Sequence, residues 1–153
     1  MILAAIDPGR RCSGWAIFSG ARLIKTGGVT DVTLPEAFAM FLDIFDRYSP
    51  DDGIIEIPQV YQQKFWKGDP NDLIEVALYA GVALSALSRH ARFKMVRPHD
   101  WKGTVPKDID NKHTLSKLTA EEMAVFKGSG VKKKLEHNLI DAIGLGLWKL
   151  GRK

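Results

Sequence analysis

Three acidic residues, Asp7, Glu56 and Asp141, each stand against an apolar background in widely separated parts of the chain. Asp7 closes the run Ile2-Leu3-Ala4-Ala5-Ile6, Glu56 interrupts Ile54-Ile55-Glu56-Ile57 before Pro58, and Asp141 lies between Ile140 and Ala142-Ile143. A carboxylate in such company is costly unless a cation, water or a hydrogen-bond donor meets it. Singly, each has a plain reading. Asp7 can cap the Pro8-Gly9 turn through its own backbone. Asp141 can hydrogen-bond His137 or Asn138, which at four and three residues before it share its face of a helix. Together the three form a set with a chemistry. Mg2+ and Mn2+ prefer oxygen ligands, and carboxylates converging from rigid elements can hold two ions about 3.5 to 4 Å apart. In phosphodiester hydrolysis one such ion activates water while the other stabilises the departing oxygen. Without a cation the three would repel one another and raise at least one carboxyl pKa.

The elements that must position these acids are read from periodicity and punctuation. Ile2 to Ile6 form a buried strand stopped by Pro8-Gly9, and Gly14 to Phe18 and Leu23 to Val29 form two more around Ser19-Gly20-Ala21, a meander. Thr33-Leu34-Pro35-Glu36 opens a helix on which Phe38, Phe41, Leu42 and Phe45 recur at helical spacing, ending near Tyr48-Ser49-Pro50. Ile54 to Pro58 is a fourth strand, again with an acid at its end. Tyr61 to Pro70 is an exposed loop rich in Gln, Lys and aromatics. Asn71 or Asp72 caps a long helix to about His90 with Val76, Ala77, Ala80, Ala83, Leu84 and Leu87 along one face. Phe93 to Arg97 is the fifth strand and leads into a polar, basic loop from His99. Thr119 and Glu122 have capping-box spacing for a short helix. After Gly128-Ser129-Gly130 the last helix runs from about Lys132 to Leu150 and carries Asp141.

With 153 residues, 45% of them hydrophobic, the chain suits one well-buried core and a single domain. No apolar run approaches the ~18 residues of a membrane span, and no basic leader precedes the apolar start, so a soluble, cytoplasmic protein is expected. The lone Cys12 points to neither a disulfide nor a zinc cluster. The net charge of +4 hides an asymmetry. Residues 31–56 carry seven acids against Arg47, whereas residues 89–117 carry eight Lys/Arg against three Asp, with Lys127, Lys132, Lys133 and Lys134 beyond. One basic face favours a polyanionic partner over an evenly solvated surface.

Ile6-Asp7-Pro8-Gly9 followed by Ser13-Gly14-Trp15-Ala16, then Ile55-Glu56-Ile57-Pro58-Gln59-Val60-Tyr61, then Asp141-Ala142-Ile143-Gly144-Leu145, resembles the RuvC family of Holliday junction resolvases, within the RNase H-like nucleases. The likeness covers almost the whole chain, and the absence of extra domains resembles compact bacteriophage members. It implies an α/β, RNase H-like fold with a central five-stranded mixed sheet flanked by helices. It also implies a homodimer and paired Mg2+-dependent nicks in a four-way DNA junction, with two ions per site, Mn2+ able to substitute, and no nucleotide cofactor. Asp7, Glu56 and Asp141 would be metal ligands. The family has a fourth acid or a histidine three residues before the last Asp, where this chain has Asn138. Either Asn138 or its neighbour His137 would then complete the set, with His137 preferred and Glu136 rotated too far. Lys102, in Trp101-Lys102-Gly103, matches a region of the family's active-site lysine, and Lys107 or Lys112 would add a second near the scissile phosphate. Tyr61 or Phe65 falls in the family's junction-probing loop, where an aromatic stacks on unpaired bases, unless these residues serve as hydrophobic anchors or dimer contacts. Lys132 and Lys133 would bind backbone phosphates.

Three other readings use the same residues. An RNase H-like nuclease acting on other branched DNA or on RNA would share the acids. A junction-binding protein without cleavage would keep the basic face and aromatic loop, and Asn138 in place of an acid is its support. An actin-like phosphotransferase also opens with a strand ending in Asp and glycine, but 153 residues are too few for its two lobes.

Overall fold

The structure, a computed structural model, describes residues 1–60 and 68–153. The elements in order are β1 (Ile2–Asp7), β2 (Cys12–Ser19), β3 (Arg22–Thr30), α1 (Leu34–Tyr48), β4 (Asp52–Glu56), α2 (Pro70–Leu87), β5 (Arg92–Val96), α3 (Pro98–Lys102), α4 (Lys107–Ser116), α5 (Ala120–Lys127) and α6 (Glu136–Lys149). A 3-10 turn, Lys133–Leu135, precedes α6. The strands form one mixed sheet in the order β3-β2-β1-β4-β5. The first three pair antiparallel through tight connections, and β4 and β5 add parallel to β1 after the crossovers that α1 and α2 supply. This is the α/β architecture expected, a five-stranded mixed sheet flanked by helices, as in RNase H-like proteins. Among the described residues no helix is long and apolar enough to cross a membrane.

β1 reads as a continuous apolar run because both of its faces are covered. Leu3 and Ala5 pack into a core with Leu139, Ile143 and Leu147 of α6, whereas Ala4 and Ile6 pack against Phe41 and Phe45 of α1 and Ala80 and Ala83 of α2. α1 begins at a capping box in which Thr33 and Glu36 satisfy each other's backbone N–H groups, and ends at Ser49 in the left-handed region.

Three expected boundaries are corrected. Asp69, not Asn71 or Asp72, caps α2: its side chain accepts from the Asn71 N–H, and Pro70 occupies the first helical position, where no N–H is needed. The stretch after β5 is two helices, α3 and α4, rather than a loop. The last helix begins at Glu136, because Lys132 is extended (ψ 137°) and the next three residues make a 3-10 turn.

α5 is fastened to the sheet through a buried acid. Glu122 is 1% exposed, accepts from the backbone N–H groups of Leu23 (2.8 Å) and Thr119 (2.9 Å), and pairs with both terminal nitrogens of Arg152 (2.7 and 2.8 Å). The Arg152 guanidinium, chief among these donors, lowers the Glu122 carboxyl to about 2 from an ordinary 4.5. A depressed carboxyl stabilises the fold above its unfolded pKa and loses that contribution as pH falls toward its folded one. Between about pH 4.5 and pH 2 the wild type should therefore lose on the order of 3 kcal/mol that Glu122→Gln does not lose. Urea unfolding at pH 7, 4.5 and 3 measures it; equal acid sensitivity in the two proteins would remove Glu122 as the source.

Candidate active site

Sheet parity brings the first two acids together. Asp7 follows Leu3 and Ala5 along one side of β1, Glu56 follows Ile54 along the same side of β4, and the parallel register sets Ala5 beside Ile54 and Ile6 beside Ile55. Both carboxylates therefore leave adjacent strand ends on the face that α6 covers. α6 contributes Asp141, 4% exposed, from the middle of its buried side. It can lie this close because β2 passes beneath it at Gly14, where a Cβ would run into the Asn138 carbonyl.

Two ammonium groups stand among the acids. Lys102 Nζ is 3.2 Å from Glu56 Oε2 and 3.7 Å from Asp141 Oδ1, and Lys107 Nζ is 3.1 Å from Asp141 Oδ2. The Trp101 indole N–H donates to Glu56 Oε2 at 2.6 Å. Burial, then the charges of Glu56 and Asp141, push the Asp7 carboxyl well above its ordinary range against the pull of Lys102 and Lys107. Glu56 is raised as well, by burial first, with Lys102 and the Trp101 bond opposing. Burial alone would lower Lys102, but Glu56, Asp141 and Asp7 outweigh it and hold the ammonium charged above its usual range.

This is the electrostatics of a site built for positive charge. Three hard oxygen donors on rigid elements, with Asp7 destabilised as an anion by its neighbours, fit a divalent cation in kind. Among the described residues, however, no three His, Cys, Asp or Glu side chains form a ready metal-holding group. Lys102 bridges Glu56 and Asp141 instead, on a side chain long enough to withdraw.

The remaining candidates divide by place. His137 is half-buried at the start of α6; burial, then Lys107, lowers its pKa against Asp141, so it is neutral at pH 7. The Asn138 amide nitrogen donates to the Leu135 carbonyl at 3.3 Å, and its side chain meets Cys12. Cys12 itself is buried at the start of β2 and pushed up to about 11, chiefly by burial, which leaves it a thiol. Lys112 is exposed on α4, and Lys132 and Lys133 are exposed before α6, where none makes an ion pair within the described residues. Tyr61 and Phe65 lie outside the described residues. Sequence reasoning missed the part Trp101 plays; the available signal was a large aromatic with one N–H donor in an otherwise polar stretch, directly before Lys102.

No protein-family model and no curated protein sequence matches the chain. Solved structures do. The structure of Thermus thermophilus RuvC in complex with Holliday junction substrate matches with a TM-score of 0.70 and 19% identity, over 97% of this chain and 91% of that one. The yeast mitochondrial Holliday junction resolvase matches at 0.66 and 12%, over 98% and 78% of the two chains. The fowlpox virus Holliday junction resolvase matches at 0.62 and 16%, over 99% of each. From end to end, this chain has the RNase H-like fold that these resolvases share.

Proposed function

We propose that the chain is a structure-selective endonuclease that resolves four-way DNA junctions by metal-dependent hydrolysis of paired phosphodiesters. The observation that carries this reading is the convergence of Asp7, Glu56 and Asp141 on one face of the sheet, with Lys102 and Lys107 among them, in a fold shared with junction resolvases. Asp7, Glu56 and Asp141 would hold Mg2+, with Mn2+ able to replace it. The bound ions would supply water activation and charge stabilisation at the departing oxygen.

The chain's own residues bind and orient the substrate. Lys102 and Lys107 exchange their carboxylate partners for oxygens of the scissile phosphate and meet the charge that develops there. Neutral His137, beside Asp141, holds a hydrogen-bonding nitrogen toward the attacking water. The exposed Lys112, Lys132 and Lys133 take neighbouring backbone phosphates, which makes affinity salt-dependent. Tyr61 or Phe65 stacks on the opened bases of the crossover.

Two symmetric nicks require two sites, and a second copy of the chain supplies the other. Ile74 and Leu78 of α2 and Phe93 and Met95 of β5 are exposed apolar side chains. A homodimer along α2 would cover a face of this kind.

The lysines seated among the acids favour one other reading, a protein that binds junctions without cutting them. A labelled synthetic four-way junction beside matched linear duplex, flap and RNA–DNA hybrid, with Mg2+, Mn2+ or EDTA, decides. Paired nicks confined to the four-way junction and lost in EDTA are expected, from a particle of twice 17.0 kDa by light scattering. Tight junction binding with no nicking in either metal would leave only the binding role. Equal cutting of flaps or hybrids would widen the substrate class.

A further inference from the structure

Glu56 differs from Asp7 and Asp141 in one respect that matters for a site built to fixed geometry. Its carboxylate hangs on one more rotatable bond, and each free rotor must be immobilised before the group can act as a ligand. Asp7 and Asp141 are confined by burial at 7% and 4% exposure. The Glu56 side chain, at the last residue of β4, is 13% exposed and is met by the indole N–H of Trp101, 45 residues away in sequence, and by the Lys102 ammonium.

Trp101 is itself held from several sides. The ring is 7% exposed in the core beneath α6. Lys102 Nζ and Lys153 Nζ lie over it at 4.7 and 4.6 Å from the ring centre. Lys153 is paired with Asp110 of α4 at 2.6 Å, both side chains being 6% exposed. α6 leaves a notch for this assembly at Gly144, one turn beyond Asp141. A Cβ there would come within 2.8 Å of Thr114 Oγ1, 3.1 Å of Lys153 Nζ and 3.2 Å of the Trp101 ring.

We propose that Trp101 is a positioning residue that holds the Glu56 carboxylate in its working orientation through the indole N–H, with the buried Lys153–Asp110 pair holding the ring. This deepens the nuclease reading and rests on it for its consequence, although the contact itself does not depend on it. The N–H bond to a carboxylate is charge-assisted and directional, so it fixes both the rotamer and which oxygen is left free for a cation. Lys102 reaches the same oxygen, Oε2, at 3.2 Å, which leaves Oε1 free of these two donors.

Two measurements test this. In 15N-labelled protein the Trp101 indole N–H should exchange slowly, and Glu56→Ala, which removes the acceptor, should speed that exchange at least about tenfold. An unprotected Trp101 N–H in the wild type, or protection that ignores Glu56→Ala, overturns the proposal whatever the protein's activity. The second measurement is Mn2+ affinity by calorimetry for Trp101→Phe, which keeps an aromatic face for the cations and removes the donor together with part of the ring. Affinity should fall about 10- to 100-fold, the usual loss for a partner that orients a ligand. The same substitution in a Glu56→Ala background should change it less than about threefold, because the group it acts through is gone. Equal losses in both backgrounds mean that Trp101 acts by packing alone, and overturn the positioning role. Wild-type protein that binds no Mn2+ removes the metal reading of the three acids, and the indole exchange still decides whether Trp101 holds Glu56.

Discussion

Asp7→Asn should abolish junction cleavage and, at the same time, make the protein more stable. Loss of a residue that only orients a ligand costs about 10- to 100-fold, so loss of a ligand itself is expected to exceed 100-fold. The stability sign follows from the raised carboxyl. A group whose folded pKa lies above its unfolded value is disfavoured as an anion in the fold, by burial first and then by Glu56 and Asp141, so the Asp7 carboxyl opposes folding at neutral pH, and below its ordinary 3.8 it does not. The amide keeps the shape and removes the repulsion from Glu56 and Asp141, while Lys102 retains both of those partners. A gain of about 1 kcal/mol is expected, a rise of about 3 °C in Tm, in EDTA at pH 7. Added Mg2+ should then raise the wild-type Tm by mass action and leave the variant unmoved. A variant that is less stable than wild type would show Asp7 to be chiefly a cap of the Pro8-Gly9 turn. A variant that still cuts would take Asp7 out of the site.

That Asp7 and Glu56 meet could be worked out on paper. Each ends a continuously buried apolar run, and once β1 and β4 are parallel neighbours, the alternation of side chains along a strand sets both on one face. α1 and α5 were equally legible, since Thr33–Glu36 and Thr119–Glu122 announce their capping boxes. α4 was not, for a physical reason. Its buried residues are Asp110 and Thr114, so the side facing the protein is polar and no apolar stripe marks it. The partner that makes Asp110 tolerable there, Lys153, lies at the far end of the chain. Pro98 and Pro106 read as breakers, yet they stand at the first helical position of α3 and at the N-cap of α4, where proline costs nothing. The Trp101–Glu56 bond is likewise a product of packing, because spacing carries no trace of a contact between a strand end and a helix three elements later. Asn138 shows the opposite limit. Its position suggested a ligand, and the structure shows its amide nitrogen engaged with the Leu135 carbonyl, which leaves the amide oxygen, the atom that would meet a cation, unassigned beside His137 as the other candidate.

Gly14→Ala should damage both the fold and the site, although residue 14 touches no substrate in any of these readings. β2 crosses under the first turn of α6 at Gly14, and an added methyl would meet the carbonyl carbon and oxygen of Asn138 and, at 2.9 Å, the backbone nitrogen of Leu139. These are main-chain atoms of a helix, so no rotamer change relieves the clash. At Gly146 the obstacle is the Phe18 ring, a side chain, and at Gly27 it is the Trp15 ring. The alternatives for Gly14→Ala are to push α6 off the sheet or to bend β2, and forced overpacking of this kind costs about 1 to 3 kcal/mol or more. α6 carries Asp141 only three residues past Asn138, so the helix shift displaces an acid that must meet two others. A misplacement of about 1 Å is worth about 100-fold in rate. The expected result is a Tm lowered by about 3 to 9 °C, with cleavage reduced about 100-fold even at 20 °C, where the variant remains folded. Circular dichroism melting and single-turnover cleavage at that temperature separate the two effects. Wild-type melting with wild-type cleavage would mean that α6 does not rest on β2 at Gly14, and the route by which Asp141 reaches Asp7 and Glu56 would have to be different.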